Sequence, residues 1–394
     1  MQKESSAQNA PFLTKPVIQK GFEIAAIAGG EGRLVGGVVR DLLLGRPLGD
    51  FDMAVSVPIA DFAKTALAAG CQIIETGLAH GSVTLCYDGA ALEVTQTRAD
   101  VATDGRHATI GFTPSFEEDA RRRDFTINAL YMGADGTIYD PLGGRDDLAS
   151  RHLRFIGAAE ARIREDYLRI LRFLRFASQL DGFTADAQNL SVISDHFDGL
   201  SQLSGERVLG ELCKLFDGIN WPDVKQIMQQ IGLDQALFGD RFLPLLPRYQ
   251  KLTSWQAAAA SCLTPSTAEV FLQLPHSRKD SAMIKRLLTP IVPADFEALS
   301  SDDWREVVHF GGDNFPQRCL IQARHHRVEI SDARLTEIEN FTPPPCPVTG
   351  HDLIKAGVPA CKSLGGYIDR AIRYFAARHF TANKDEILRY LLDN

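Results

Sequence analysis

The sequence predicts an α+β fold: a small N-terminal domain with a mixed sheet and helices, followed by an all-helical remainder. Between residues 33 and 140, short alternating segments typical of strands are separated by Gly and Asp-Gly pairs and interrupted by helical stretches. After Pro141-Leu142-Gly143-Gly144, apolar residues recur at helical spacing and strand signals become rare. With 394 residues, 45% of them hydrophobic, the chain is long enough for two or three domains.

Two β-hairpins are expected in the N-terminal domain. Polar and apolar residues alternate over 82–87, the pair Asp88-Gly89 follows, and a second such run covers 91–97. Another pair, Asp135-Gly136, lies between two further short β-like runs. Asp-Gly between alternating runs is a strong hairpin signal, because tight two-residue turns require positive φ angles.

We divide the chain into four segments. The mixed domain covers 1–145, and the helical part is divided into 146–216, 217–342 and 343–394. The last boundary follows from the proline-rich run at residues 343–347, which marks a break before a final helical stretch.

The net charge argues against a protein that coats nucleic acid indiscriminately. Lys and Arg number 42 against 50 Asp and Glu, a formal net charge of −8, whereas phosphate binding requires basic residues that release counterions. Any nucleic-acid contact must therefore use local basic patches. The sequence has two, at 121–123 and along 162–175.

Neither a leader peptide nor a membrane span is expected. Residues 1–8 are polar and lack the pattern of a signal peptide, and no apolar run approaches the ~20 residues that a span requires. The seven cysteines are scattered and form no C-x-x-C pair, so we expect reduced thiols. These features predict a cytoplasmic protein with no membrane contact.

Asp50-Phe51-Asp52 is the motif on which the functional interpretation depends. In a strand, side chains two residues apart share a face, so Asp50 and Asp52 would project together. Carboxylate oxygens suit Mg²⁺, and two such ions ~3.5–4 Å apart can activate a hydroxyl and stabilise a leaving pyrophosphate. Glu93 is the expected third carboxylate, because it alternates with apolar neighbours in a predicted strand. Alone, D-x-D is more often a solvated strand edge or turn, so its context decides.

The context is Gly36-Gly37, with Arg40 one helical turn further on. Glycine lets the backbone approach a phosphate without a Cβ in the way, and Arg40 can neutralise triphosphate charge. Gly-Gly-x-x-Arg-Asp before a D-x-D strand resembles the nucleotidyltransferases of the DNA polymerase β superfamily. The form is similar to that of class II tRNA nucleotidyltransferases and bacterial poly(A) polymerases. This resemblance implies a polymerase β-like nucleotidyltransferase head followed by an all-α neck, body and tail.

Residues 122–130 and 164–176 carry the same resemblance. From the first segment, it implies Arg123 as a nucleotide contact, with Asp124 and Asn128 as local braces. The second segment contains a row with a three-residue spacing that would cover ~13 Å on a helix, at ~1.5 Å rise per residue. Its members are Asp166, Arg169, Arg172 and Arg175. By itself such a row is more often a basic helix face or a set of arginines paired with acids.

Asp166 and Arg169 are expected to choose the base. A carboxylate accepts hydrogen bonds, whereas a guanidinium only donates them. Cytosine and adenine present an exocyclic amine beside a ring-nitrogen acceptor, and uracil and guanine present the reversed order. The pair should therefore accept CTP and ATP and reject UTP and GTP, with Arg172 and Arg175 nearer the triphosphate. The resemblance likewise implies that side chains select the base without a nucleic-acid template.

Three further segments have residue patterns that resemble known motifs. Residues 104–108 look like the family's flexible loop, which by resemblance reshapes the pocket from C to A, and 205–212 resemble its fifth motif, a brace for the nucleotide-binding helix. His325-His326, His351-Asp352 and Asp369 follow the order of an HD phosphohydrolase metal site. We disfavour that site, because Thr349 and Asp352 fit the N-terminal cap of a helix.

The resemblance implies template-independent addition of CCA to the 3′ end of tRNA from CTP and ATP, with Mg²⁺, and with body and tail gripping the acceptor and T arms. A poly(A) polymerase shares these motifs, but such enzymes tend to carry a basic C-terminal extension that this acidic-ended chain lacks. Partial enzymes that add only CC or only A remain open. A catalytically silent RNA-binding protein is disfavoured, because the carboxylates and Arg169 are intact.

Overall fold

The computed structural model describes most of the chain, which divides into two units, 1–211 and 212–394. The described residues are 11–78, 81–103, 108–183, 186–243, 254–288, 344–359, 364–378 and 380–393, with the single residues Ile321, Thr336 and Asn340. Of the predicted flexible loop at 104–108, residues 104–107 lie outside them, as does the pair His325-His326.

Among the described residues of the first unit there are nine strands. They are β1 (Gly32–Val35), β2 (Asp52–Val55), β3 (Gln72–Gly77), β4 (Ser82–Tyr87), β5 (Ala90–Gln96), β6 (Arg98–Thr103), β7 (Ala108–Phe112), β8 (Tyr131–Met132) and β9 (Ile138–Tyr139). Seven form one mixed sheet in the order β3-β4-β5-β2-β1-β8-β9, while β6 and β7 form a separate pair. Strands β2 and β5 are parallel, and the other neighbouring pairs are antiparallel.

Helices cover the sheet and follow it in sequence. They are α1 (Pro16–Ile27), α2 (Gly37–Leu43), α3 (Ile59–Ala68), α4 (Phe116–Arg121), α5 (Gly144–Ala149), α6 (Ala159–Glu165), α7 (Leu168–Gln179), α8 (Ala187–Ser194) and α9 (Gly205–Phe216). Helix α1 lies directly on the sheet, because a Cβ on Gly21 would come within 2.7 Å of Leu92 Cδ2. Short 3-10 turns occupy Pro11–Thr14, Thr126–Asn128 and Phe197–Gln202.

Both predicted hairpins are confirmed. Strands β4 and β5 pair antiparallel up to Tyr87 and Ala90, across a turn in which Asp88 has φ 52° and Gly89 φ 71°. Two consecutive positive φ angles are what a type I′ turn requires, and Asp-Gly supplies them at low cost. Strands β8 and β9 also pair antiparallel across the second Asp-Gly pair, but over a longer loop in which Gly136 (φ 80°), and not Asp135, has a positive φ.

The expectation that Asp166, Arg169, Arg172 and Arg175 form one row on a helix is wrong for Asp166. Helix α6 ends at Glu165, and α7 begins at Leu168, with Asp166 in extended conformation between them (φ −156°, ψ 104°). The physical reason is that Asp166 Oδ1 accepts the Leu168 backbone N–H at 3.1 Å and so satisfies a donor at the start of α7. Asp166 therefore precedes the helix that carries the three arginines.

The described part of the second unit is helical. Its helices are α10 (Trp221–Ile231), α11 (Leu233–Phe238), α12 (Trp255–Cys262), α13 (Pro265–Gln273), α14 (Arg278–Leu288), α15 (Gly350–Lys355), α16 (Leu364–Ala377) and α17 (Lys384–Asp393). Helices α15 to α17 share a small core that includes Leu353, Phe375 and Ile387. None of the described helices is long and apolar enough to cross a membrane.

The predicted cap at Thr349 is confirmed. Its side chain accepts the Asp352 backbone N–H, and Asp352 in return accepts the Thr349 backbone N–H at 2.9 Å, so both orphan donors of α15 are satisfied. Asp352 also binds Lys384. These contacts engage Asp352 in helix capping, and among the described residues no three His, Cys, Asp or Glu side chains are grouped so that they could hold a metal ion.

Candidate active site

A cleft of about 660 Å³ in the first unit gathers almost all of the residues that the sequence predicts for the site. Those lining it are Gly36, Gly37, Arg40, Asp52, Glu93, Arg123, Asp166, Arg169, Arg172 and Arg175. Asp50 is not among them. The volume is in the range of ordinary ligand pockets, and the lining is dominated by guanidinium and carboxylate groups, which suits a highly charged ligand.

Asp52 and Glu93 form the acidic centre of the cleft. They are register partners in the parallel pair β2–β5, and the ladder continues beyond them through the Glu93 backbone N–H, which donates to Phe51 O at 3.3 Å. Desolvation by the cleft walls and repulsion by Glu93 raise the pKa of Asp52 to about 6, against an opposing effect of Arg123 and with a smaller contribution from Asp50. Two carboxylates paired in this way repel each other, and a bound cation would reduce that repulsion.

The expectation that Asp50 and Asp52 share a strand face is only half right. Strand β2 begins at Asp52, and Asp50 is exposed in the segment before it. The strand rule for alternating side chains does not apply to Asp50, because Asp50 lies outside strand β2. Asp50 nevertheless lies close enough to raise the pKa of Asp52.

The glycine turn lies beside the carboxylates, because β1, which it follows, pairs with β2. Gly36 follows β1 with φ 73°, a left-handed conformation that favours glycine, and its N–H donates to Leu130 O at 3.1 Å. A Cβ at Gly36 would lie 3.7 Å from Arg123 Nη1, so the turn and Arg123 border the same space. The N-terminus of the short helix α2 follows, as the sequence predicts.

Arg40 is joined to α7 by a chain of polar contacts. Its Nη1 donates to Asn128 Oδ1 at 2.7 Å, Asn128 Nδ2 donates to Asp124 Oδ1 at 3.1 Å, and Arg172 Nε donates to Asp124 Oδ2 at 2.7 Å. Burial raises the pKa of Asp124, but Arg172 and Asn128 outweigh it and hold that pKa below its usual value. Asp124 and Asn128 therefore link Arg40 to Arg172, although Asn128 lies in a 3-10 turn and the two residues do not share one α-helix.

The predicted base-selecting residues lie at the start of α7. Arg207 Nη2, on α9, lies 2.7 Å from Asp166 Oδ2, and Arg169 Nη1 donates to Glu165 at 2.6 Å and to Arg162 O at 2.8 Å. Both groups are thus held in place by protein partners. Arg207 belongs to the segment 205–212, which is expected to brace the nucleotide-binding helix. Its contact with Asp166 lies at the start of that helix.

Arg172 and Arg175 are anchored by acids. Glu211 Oε2 lies 2.8 Å from Arg175 Nε, without the alignment of a hydrogen bond, and Glu211 Oε1 lies 3.8 Å from Arg172. Burial lowers the pKa of Arg175 to about 10, with Glu211 opposing that shift. Phe176 lies under both guanidiniums, at 5.7 Å from Arg172 and 4.1 Å from Arg175.

Two contributors were missed by sequence reasoning, Asp119 and Arg98. Both line the cleft. Asp119 binds Arg123 at the i, i+4 spacing that favours such pairs on helices, a signal that could have identified it. Arg98, at the start of β6, gave no local signal, because only the tertiary fold brings it to the cleft wall.

Comparison with known protein sequences identifies relatives of this chain. A family model described as Poly A polymerase head domain matches residues 32–154. A Danio rerio protein, CCA tRNA nucleotidyltransferase 1, mitochondrial, is 31% identical over 380 residues, covering 92% of this chain and 87% of that protein. A CCA-adding enzyme of Geobacillus stearothermophilus is 40% identical over 213 residues, covering 54% of this chain and 52% of that one.

Solved structures of CCA-adding enzymes also match this chain. The Bacillus stearothermophilus CCA-adding enzyme in complex with CTP matches with a TM-score of 0.71 at 28% identity, covering 96% of this chain and 98% of that one. The Thermotoga maritima CCA-adding enzyme complexed with tRNA-CCA matches with a TM-score of 0.69 at 20% identity, covering 100% and 99%, and shows likeness of fold alone. The predicted α+β class is confirmed.

Proposed function

The chain belongs to the CCA-adding tRNA nucleotidyltransferases, and we propose that it adds CCA to the 3′ end of tRNA from CTP and ATP, with Asp50, Asp52 and Glu93 as catalytic carboxylates. The family follows from the relative that is 31% identical over 380 residues. The observation that carries the site assignment is the pairing of Asp52 with Glu93 across β2 and β5, beside the Gly36 turn in the same cleft.

We assign Mg²⁺ to the acidic centre, with Asp50 and Asp52 as its ligands. The donor set is made of carboxylate oxygens, which hard cations prefer, and the raised pKa of Asp52 reflects burial and repulsion that a cation would relieve. Bound Mg²⁺ would supply charge stabilisation for nucleotidyl transfer and activation of the attacking hydroxyl. Asp50 would need to turn toward Asp52 to share an ion, since it is not a lining residue of the cleft and, as placed, no three ligating side chains of the described residues form a metal-binding group.

The remaining residues of the cleft bind and orient the nucleotide in this account. Gly36 and Gly37 leave room for the phosphates, and Arg40 and Arg123 supply positive charge beside them. Asp166 accepts the exocyclic amine of cytosine or adenine, while Arg169 donates to the ring nitrogen. Arg172 and Arg175, farther along α7, complete the basic wall.

The segments expected from the sequence acquire the following roles in the proposal. Residues 1–145 are the catalytic head and 146–216 the neck that selects the base. Residues 217–342 and 343–394 bind the acceptor and T arms of tRNA by shape and phosphate contacts. A cytoplasmic location stays a prediction, because relatives that cover most of this chain are named mitochondrial.

The product distinguishes this function from poly(A) synthesis. Transcripts of tRNA that end at the discriminator base, at C and at CC are each incubated with one labelled nucleotide. We expect CTP alone to extend the first two transcripts and ATP alone to extend the third by one residue. Long tails made from ATP alone would instead identify a poly(A) polymerase, and extension of only some transcripts would identify a CC-adding or A-adding enzyme.

A further inference from the structure

A buried polar cluster lies behind Arg123 at the wall of the cleft. Asp119 of α4, whose side chain is 8% exposed, accepts hydrogen bonds at Oδ2 from Arg123 Nε at 3.2 Å and Nη2 at 3.0 Å. The fully buried Tyr131 donates its hydroxyl proton to the same oxygen at 2.8 Å and accepts from Arg123 Nε at 3.2 Å. The inner edge of the guanidinium is therefore bound by two buried oxygens.

The opposite corner of the guanidinium faces the glycine turn. Arg123 Nη1 is the atom that a Cβ on Gly36 would approach, at 3.7 Å. Among the described residues, none accepts a hydrogen bond from Nη1, although Nε and Nη2 are both bound. A guanidinium fixed along one edge presents its remaining N–H groups in a defined direction, which suits recognition of phosphate oxygens.

We propose that Asp119 and Tyr131 are positioning residues, which bind the inner edge of Arg123 so that Nη1 is presented to the triphosphate at the Gly36 turn. This inference rests on the proposed function and adds two residues that do not themselves contact the nucleotide. Without them, Arg123 would have to be immobilised by the substrate, at a cost in side-chain entropy when the triphosphate binds.

The same carboxylate also joins Arg123 to β6. Asp119 Oδ1 accepts the backbone N–H of Arg98 at 3.1 Å, at the first residue of that strand. Because one rigid side chain makes both contacts, the position of Arg123 is tied to the β6–β7 pair. The cluster thus links the triphosphate side of the cleft to a second structural element.

The test compares ligands with and without phosphates. Asp119→Asn keeps the side-chain shape and removes the charge, and Tyr131→Phe removes only the hydroxyl. Binding of CTP and of cytidine to the full-length protein is measured by calorimetry, together with KM and kcat. We expect Asp119→Asn to weaken CTP binding about tenfold, Tyr131→Phe to weaken it less, and both to leave cytidine binding within about twofold.

Two controls test whether the effect is specific to Asp119 and acts through Arg123. Glu117→Gln removes the carboxylate of an exposed pair with Arg121 on the same helix and should leave CTP binding unchanged. In an Arg123→Gln background, Asp119→Asn should cause no further loss of CTP binding, because the two residues act as one unit.

Equal weakening of CTP and cytidine binding, or additive losses with Arg123→Gln, would overturn the positioning role. If Asp119→Asn does not fold, Tyr131→Phe decides on the same criteria. Failure of the wild type to extend tRNA would contradict the proposed function instead, and the binding comparison would still read out the position of Arg123.

Discussion

Asp52 on β2 and Glu93 on β5 stand side by side in a parallel strand pair, although they are 41 positions apart in the sequence. Parallel register brings both carboxylates to the same level of the sheet, where both line the cleft. The acidic centre is therefore a property of the sheet and not of the D-x-D motif alone. Asp50, outside the strand, contributes from the preceding segment.

The base preference depends on Asp166 as an acceptor. Arg207 donates to Asp166 Oδ2 at 2.7 Å, and the Leu168 backbone N–H donates to Oδ1, so the carboxylate is held in a fixed orientation. Asp166→Asn offers the base a donor as well as an acceptor. We expect the ratio of kcat/KM for CTP over UTP to fall about ten- to a hundredfold, because a bidentate base contact is worth ~1–3 kcal/mol of discrimination. An unchanged ratio, measured on a tRNA transcript ending at the discriminator base, would contradict this role of Asp166.

Asp124 should make stability dependent on pH. Its pKa is held below the usual value because Arg172 and Asn128 outweigh the effect of burial. The group therefore stabilises the fold above its unfolded pKa of ~3.9, and this contribution is lost as the pH falls through the lower folded pKa.

Asp124→Asn is expected to lower the free energy of unfolding by about 2–4 kcal/mol at pH 7, because it leaves Arg172 without its buried partner. The difference between variant and wild type should shrink as the pH is lowered from 4 toward 3. Thermal unfolding of both proteins across this range provides the measurement. A difference that stays constant down to pH 3 would show that the ionised form of Asp124 does not stabilise the fold.

The N-terminal cap of α15 should stabilise this helix locally. Thr349→Ala removes the side-chain acceptor for the Asp352 N–H, and such losses cost about 1 kcal/mol. Hydrogen exchange of amides at 350–355 is expected to become about fivefold faster. Thr349→Ser, which keeps the hydroxyl, should exchange like the wild type. Equal protection in the Ala and Ser variants would mean that the capping box is not what stabilises this helix.

Local signals predicted the parts of the fold that depend on local physics. The Asp-Gly turns predicted both hairpins, because positive φ angles are a property of the turn residues themselves. The alternation around Glu93 correctly predicted a strand with this side chain facing the cleft. Which strand lies beside it could not be predicted, since strand order is decided by packing across the whole sheet.

Predictions that extended a periodic pattern were less successful. The three-residue spacing from Asp166 to Arg175 suggests one helix, but the chain breaks at Asp166, whose side chain caps the next helix. The cluster of Asp119 and Tyr131 could not be predicted, because only the folded chain brings the buried acid and the buried tyrosine hydroxyl to their shared partner, Arg123.

The central claim is that the carboxylates beside the glycine turn perform CCA addition. It is tested most directly by the single-turnover rate of CMP transfer to tRNA ending at the discriminator base, at saturating Mg²⁺. Asp52→Asn and Glu93→Gln are compared with Asp61→Asn, an exposed acid in the first turn of α3. We predict that the two cleft variants lose at least about a thousandfold in rate, equivalent to ~4 kcal/mol of lost transition-state stabilisation. The Asp61 variant should match the wild type. Rates for Asp52→Asn and Glu93→Gln within about tenfold of that control would contradict the account.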